Sequence, residues 1–397
     1  MEKTEQIGIF GGTFNPPHTG HIQGAQWAME RLKLSRVLMI PSRQNPAKHF
    51  SPDALTPEQR LQMLRLAAEE YPGLEVWDGE IRREGSSYTY QTLQELEAQY
   101  PGGEFTLILG SDIFRDFTKW RESRFLAEHA RIAVLLRGAK GEKQALAQGQ
   151  AALSQWGITA AVLENPLEEI SSTQVRRLLA FGCGDAFLDP KVLQYIQKNR
   201  LYHVGEDWKH LPMERLEPIV VSLLDPGRVN HVLGCRDTAV ALAERWGADV
   251  TDAARAGILH DITKALDGPL QLTLCSAYGK ILDDFSRKYP RTLHALTGSL
   301  VAERIFGENP QVVSAICSHT TGKADMNLLE TIIYVADYME PNRNFPGVER
   351  LRELAFSDIY GALKLGLEMT LEHLKEQGSQ VSPASAEALA YLNQNPK

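Results

Sequence analysis

The run Gly11-Gly12-Thr13-Phe14-Asn15-Pro16-Pro17-His18-Thr19-Gly20-His21 constrains this chain more than any other stretch. An apolar run, Gln6-Ile7-Gly8-Ile9-Phe10, precedes it and reads as a buried β-strand. Behind it, residues 22–34 carry apolar side chains at helical spacing. Glycines and prolines thus mark a strand-to-helix turn, with two histidines three apart at the mouth of the helix. Residues i and i+3 share a helix face, so His18 and His21 can point at one ligand. The N–H groups and dipole of a helix N-terminus form an anion site, and glycines let a phosphate approach the backbone.

The first half continues as strands alternating with helices. Val37-Leu38-Met39-Ile40, Leu74-Glu75-Val76-Trp77, Phe105-Thr106-Leu107-Ile108-Leu109 and residues 131–136 and 158–163 read as strands, and residues 60–68 and 89–99 as helices. Such alternation means βαβ units and a mostly parallel sheet, with ligands at the carboxyl ends of strands near a topological switch point. Residues 11–21 and Gly110-Ser111-Asp112 both follow strands and belong on that rim. A second phosphate signal is Ile170-Ser171-Ser172-Thr173-Gln174-Val175-Arg176. Its hydroxyls cap a helix whose N–H groups can hold phosphate oxygens, and Arg176 lies a turn further in. Residues 141–150, rich in Lys, Gln, Ala and Gly, read as a solvated surface segment.

The two motifs together, GxFxPxHxGH and ISSTxxR, resemble the nucleotidyltransferase superfamily and, within it, bacterial nicotinate-mononucleotide adenylyltransferases. The likeness spans residues 5–203. It implies a Rossmann-like α/β domain that joins ATP to nicotinate mononucleotide, giving deamido-NAD and pyrophosphate, with Mg²⁺ bridging phosphates. By the same resemblance His18 and His21 are catalytic, and Gly11, Gly12, Thr13, Phe14, Gly110, Asp112, Ser171, Ser172, Thr173 and Arg176 contact ATP or its phosphates. Ser87-Tyr88-Thr89 and Lys119-Trp120 fall where the family recognises the nicotinate nucleotide, Trp120 stacking on the pyridine ring. Lys48, after Asn45-Pro46-Ala47, departs from the family's proline-rich loop and is expected as a weak phosphate contact.

Beyond residue 203 the text changes. Residues 204–216 read as a linker, residues 217–375 as long amphipathic helices without strands, and residues 376–397 as a peripheral tail. In the helical part His231, the pair His260-Asp261, His294, His319 and Asp337 each sit in or at the end of a helical segment. Imidazoles and carboxylates converging inside a bundle are how helical folds build metal sites. Four histidines and two aspartates can hold two metals with Asp261 bridging, and mixed N/O ligation suits iron, manganese or zinc, iron being the first expectation. This all-α domain resembles the HD phosphohydrolase superfamily. More narrowly, through His319-Thr320-Thr321-Gly322, Met326, Ala336-Asp337-Tyr338 and Glu340-Pro341-Asn342-Arg343, it resembles symmetric diadenosine tetraphosphate hydrolases. The resemblance implies cleavage of that dinucleotide into two ADP, with Asp261 catalytic and Lys264 and Arg343 contacting phosphates.

Composition limits the partners. The net charge of −8 leaves no global basic excess to neutralise a nucleic acid, so any phosphate site is local. Cys183, Cys235, Cys275 and Cys317 form no CxxC pair and fit reduced thiols. No signal peptide and no apolar run of membrane-spanning length is read, so a cytoplasmic enzyme acting on small nucleotides is expected, with a homo-oligomer allowed. Two alternatives keep the transferase fold. One makes the HD domain a regulatory nucleotide-binding module; the other gives the transferase another acceptor, such as phosphopantetheine. Trp120 and Ser87-Tyr88-Thr89 favour the nicotinate nucleotide.

Overall fold

The computed structural model describes residues 4–44, 55–136, 138, 141–164 and 170–395. The chain divides into two units, Met1–Gly205 and Glu206–Lys397. The first holds six strands: β1 (Gln6–Gly12), β2 (Arg36–Pro41), β3 (Leu74–Val76), β4 (Glu104–Gly110), β5 (Ala130–Leu135) and β6 (Ala161–Leu163). All neighbours are parallel, in the order β3-β2-β1-β4-β5-β6. β1 pairs with β2 on one side and β4 on the other, so the switch point lies between β1 and β4. Their carboxyl ends are Gly12 and Gly110, the glycines expected on the rim.

Burial on both faces explains why the central strands are apolar almost throughout: Ile7, Ile9, Leu107 and Ile108 are all buried. The helix Thr19–Leu32 lies close on the sheet because Gly24 has no side chain; a Cβ there would meet Leu135 Cδ2 at 2.8 Å. The helix Pro57–Ala68 starts at Thr56, whose hydroxyl accepts from the Gln59 N–H, with Pro57 in the first turn. β6 is shorter than residues 158–163 because this edge strand pairs over three residues only. The expected solvated segment at 141–150 is instead part of a helix, Glu142–Ser154. Its Gly149 abuts the Phe114 ring and its Leu153 enters the core, so one face is packed where composition suggested none.

Among the described residues, every element of the second unit is helical. The helix Val229–Trp246 packs on Val250–Leu259 and on Leu328–Met339, and Leu293–Arg304 packs on Pro310–Ser318. The stretch expected as a linker is built into this unit. Trp208 is buried and stacks on Phe306, Leu211 is buried with its carbonyl accepting from Arg255, and the helix Met213–Leu223 begins before residue 217. The expected tail carries a further helix, Pro383–Gln394, which docks Ala388 beside Gly322 and Leu367. Among the described residues no helix is long and apolar enough to cross a membrane.

Candidate active sites

At the end of β1 the chain turns through Phe14, whose φ of 50° is left-handed, and enters the helix Thr19–Leu32 with His18 as N-cap. His18 is buried, and the His18 and His21 rings stack with centroids 3.7 Å apart. The His18 N–H donates to His21 Nδ1 at 3.2 Å. A ring nitrogen that accepts carries no proton, so in neutral His21 the donor is Nε2. Phe14, buried, meets the His21 ring edge-on at 4.9 Å and fixes its plane.

The second motif comes to the same loop. Ser171 caps the helix Ser172–Ala180, accepting from the Gln174 N–H at 3.3 Å while Gln174 Oε1 accepts from the Ser171 N–H. Ser172 Oγ donates to the Pro16 carbonyl at 2.9 Å. Arg176 Nη1 donates to the Asn15 carbonyl at 2.6 Å and Nη2 to Thr173 Oγ1 at 3.1 Å. Residues 15–16 and 172–176 are therefore tied directly, and burial lowers the Arg176 pKa. Arg176, expected as a phosphate contact, gives its Nη1 to the loop and its Nη2 to its own helix.

Three further side chains had no sequence signal. Arg60 is 2% exposed and donates to the Thr13 carbonyl at 2.7 Å and the Arg43 carbonyl at 3.0 Å. Tyr202 Oη donates to Asn15 Oδ1 at 2.6 Å. Glu142 accepts from Ser111 Oγ at 2.7 Å and from the Gly138 N–H at 2.9 Å, beside Gly110. Each works through a partner remote in sequence, and spacing carries no trace of such a contact.

Of the expected nicotinate residues, Ser87 accepts from the Arg43 N–H at 3.0 Å, and Tyr88 precedes the helix Thr89–Gln99. Arg121, next to Trp120, lies over the Tyr88 ring at 5.2 Å, which brings 87–89 and 120–121 together. Trp120 is half-buried against Phe117, leaving ring surface open. Lys119 is exposed and paired with Asp116 at 2.6 Å, and Asp112 is exposed on the rim. Lys48 lies outside the described residues.

In the second unit the six expected metal-binding residues converge. Asp261 is at the centre: Oδ2 lies 3.6 Å from His231 Nε2 and 3.5 Å from His260 Nε2, while Oδ1 lies 3.5 Å from His294 Nε2 and 3.6 Å from His319 Nε2. Asp337 Oδ1 lies 3.1 Å from His231 Nε2. Asp261 Oδ1 is buried and accepts no hydrogen bond. A buried carboxylate oxygen left without a donor is costly, and a cation between it and the facing imidazoles removes the deficit. His231, His260 and Asp337 form one compact ligand group, and His260, Asp261 and His319 another. The two groups share His260, and each is a set of imidazole and carboxylate donors that could hold a metal ion.

Burial lowers the His231 and His260 pKa values, but their facing partners, Asp261 among them, raise both overall, so a metal would have to displace protons from these two rings. Burial pushes the Asp261 and Asp337 carboxyls up, but the facing histidines hold both well below the usual carboxylate range. Burial, with the Lys264 ammonium donating to its Nε2 at 2.8 Å, pushes His294 down to about 3, so its imidazole is neutral. Lys264 and Arg343, expected as phosphate contacts, lie against the cluster's own side chains, Lys264 Nζ donating to His294 Nε2 and Arg343 Nη2 to Asp337 Oδ1 at 2.6 Å. Arg228, which the sequence reading passed over, donates through Nε to Asp261 Oδ2 at 2.8 Å.

Comparison with known proteins matches both halves. Residues 9–178 match the Cytidylyltransferase-like family and residues 228–342 the HD domain family. A probable nicotinate-nucleotide adenylyltransferase/Ap4A hydrolase from Mycoplasma pneumoniae is 29% identical over 380 residues, covering 92% of this chain and 98% of that protein. A probable nicotinate-nucleotide adenylyltransferase from Roseiflexus is 41% identical over 201 residues, covering 49% of this chain and 97% of that protein. A crystal structure of a predicted HD superfamily hydrolase involved in NAD metabolism from Clostridium acetobutylicum is 35% identical, covering 46% of this chain and 98% of that one, with a TM-score of 0.45. Through its first unit this chain belongs to the nicotinate-nucleotide adenylyltransferase family, and it carries an HD domain behind that unit.

Proposed function

We propose that the chain is a bifunctional enzyme, adenylating nicotinate mononucleotide in its first unit and splitting diadenosine tetraphosphate into two ADP in its second. In the first reaction a phosphate oxygen of the mononucleotide attacks the ATP α-phosphorus. The bond from that phosphorus to the β-phosphate oxygen breaks, and pyrophosphate leaves with the negative charge. No side chain forms a covalent bond; positioning and charge stabilisation are the residues' task. His21 donates from Nε2 to the developing charge, and His18 steadies the same phosphates. Gly11, Gly12, Thr13 and Phe14 form the backbone cradle, and the N-terminus opened by Ser171, Ser172 and Thr173, with Arg176, holds the triphosphate, to which Mg²⁺ arrives already bound. Gly110 and Asp112 line the ATP side of the rim. Trp120 stacks on the pyridine, with Ser87, Tyr88, Thr89 and Lys119 around its carboxylate and phosphate.

In the second reaction water adds to one inner phosphorus, the central phosphoanhydride bond breaks, and ADP leaves from each side. His231, His260, Asp261, His294, His319 and Asp337 would hold two divalent metals, which supply charge neutralisation and water activation. Lys264, Arg343 and Arg228 orient the polyphosphate. The observation carrying this half is the buried Asp261 carboxylate, with Oδ2 facing His231 and His260 and the undonated Oδ1 facing His294 and His319. The test is a steady-state assay of the purified chain with both substrate sets. Pyrophosphate with ATP and nicotinate mononucleotide, and ADP from diadenosine tetraphosphate with added iron or manganese, are expected. Tight binding of the dinucleotide without ADP release would make the HD domain a regulatory module instead.

A further inference from the structure

The four histidines of the second cluster each carry a Nδ1 bond. His260, His294 and His319 donate to carbonyls three residues back, those of Gly257, Arg291 and Ile316, at 2.7, 3.0 and 2.7 Å. A carbonyl only accepts, so in these three the proton is on Nδ1 and Nε2 faces the cluster with its lone pair. His231 has no such carbonyl. Its Nδ1 instead meets Glu340 Oε1 at 3.1 Å, 109 residues away.

Glu340 is built in for this contact. It is 1% exposed. Its other oxygen accepts from the Asn342 N–H at 2.7 Å and from Asn342 Nδ2 at 2.8 Å, and Asn342 Nδ2 also donates to the Asn230 carbonyl at 3.1 Å. The carboxylate occupies space left by Gly234, one turn beyond His231. A Cβ on Gly234 would lie 2.5 Å from Glu340 Oε2 and 3.1 Å from Asn342 Nδ2. Glycine inside a helix is destabilising relative to alanine, and this contact accounts for it here.

We propose that Glu340, seated in the notch at Gly234, is a positioning residue that sets the tautomer and ring orientation of His231 for metal binding, a task the backbone performs for the other three histidines. Losing the partner of a metal-binding histidine typically weakens metal affinity by about 10- to 100-fold. The inference rests on the two-metal reading of the second unit, but not on its substrate.

The test is calorimetric titration of the metal-stripped full chain with Mn²⁺, with apo melting temperatures measured alongside. Glu340→Ala should weaken Mn²⁺ binding by about 10- to 100-fold, and Glu340→Gln, which keeps one acceptor, by less. Gly234→Ala puts a Cβ 2.5 Å from the buried Glu340 Oε2, so Mn²⁺ binding should weaken and apo melting should fall with it. Glu340→Gln keeps the side chain's shape, so weaker Mn²⁺ binding at an apo melting temperature near that of the wild type separates positioning from a general loss of structure, even where Glu340→Ala does not fold. Wild-type affinity in Gly234→Ala and Glu340→Gln would overturn the positioning role alone. A wild-type chain that takes up no Mn²⁺ would overturn the metal site, and the positioning role with it.

Discussion

His21 shows how one backbone contact sets the chemistry of a side chain. Its Nδ1 is occupied by the His18 N–H, which leaves Nε2–H as donor in the neutral ring. His21→Ala should lower kcat by about 10²-fold or more, the range for losing one charge-stabilising donor, and an unchanged kcat in pyrophosphate release would remove it from the mechanism. Trp120→Ala should act differently, raising KM for nicotinate mononucleotide with little change in KM for ATP. Glu80 is a third residue with a measurable signature. It is buried and accepts from Thr92 Oγ1 at 2.6 Å. Burial holds its carboxyl above the ordinary value, although Thr92, Ser87 and Arg83 pull the other way. A raised folded pKa contributes stability that is fully present below the unfolded carboxylate pKa and lost as pH rises through the raised value. Glu80→Gln should therefore flatten the fall in melting temperature of the first unit between acid and neutral pH; an unaltered pH profile would contradict this.

At the scale of elements, the cap at Ser171 joins stability to function. Ser171→Ala removes the acceptor for the Gln174 N–H and should cost about 1 kcal/mol, lowering the melting temperature of the first unit by about 2–4 °C. KM for ATP should rise with it, because the same turn carries Ser172, Thr173 and Arg176. Central elements are legible in the sequence because their residues depend on local pattern. The runs around Ile7, Leu38 and Leu107 must be strands to bury both faces, and the glycines and histidines of 11–21 announce a phosphate-binding turn. Other features depend on contacts with no sequence trace. Arg60 sits in an ordinary amphipathic helix and is buried only because the carbonyls of Thr13 and Arg43 accept from it. Residues 141–150 look solvated, yet Gly149 lets that helix close on Phe114. Residues 204–216 look like a linker, yet Trp208 finds Phe306 98 residues later. In the second unit the types and order of the histidines and aspartates pointed to the cluster, whereas Glu340 and Arg228 emerged only from distances.

The whole molecule joins two sites that use histidine in different ways. In the first unit, His18 and His21 stack beside glycines and a helix N-terminus, an arrangement for phosphate oxygens. In the second, histidines from separate helices surround a carboxylate, an arrangement for cations. An adenylyltransferase that misdirects AMP onto ATP would form a dinucleoside tetraphosphate, and a hydrolase in the same chain would remove it. On the proposed function, one chain carries two active sites with separate machinery. Replacement of Asp261 tests it most directly, with pyrophosphate release and ADP release measured on the same preparation. Asp261→Asn should abolish ADP formation from diadenosine tetraphosphate and leave deamido-NAD synthesis at the wild-type rate. ADP formation at the wild-type rate in that variant would contradict the account.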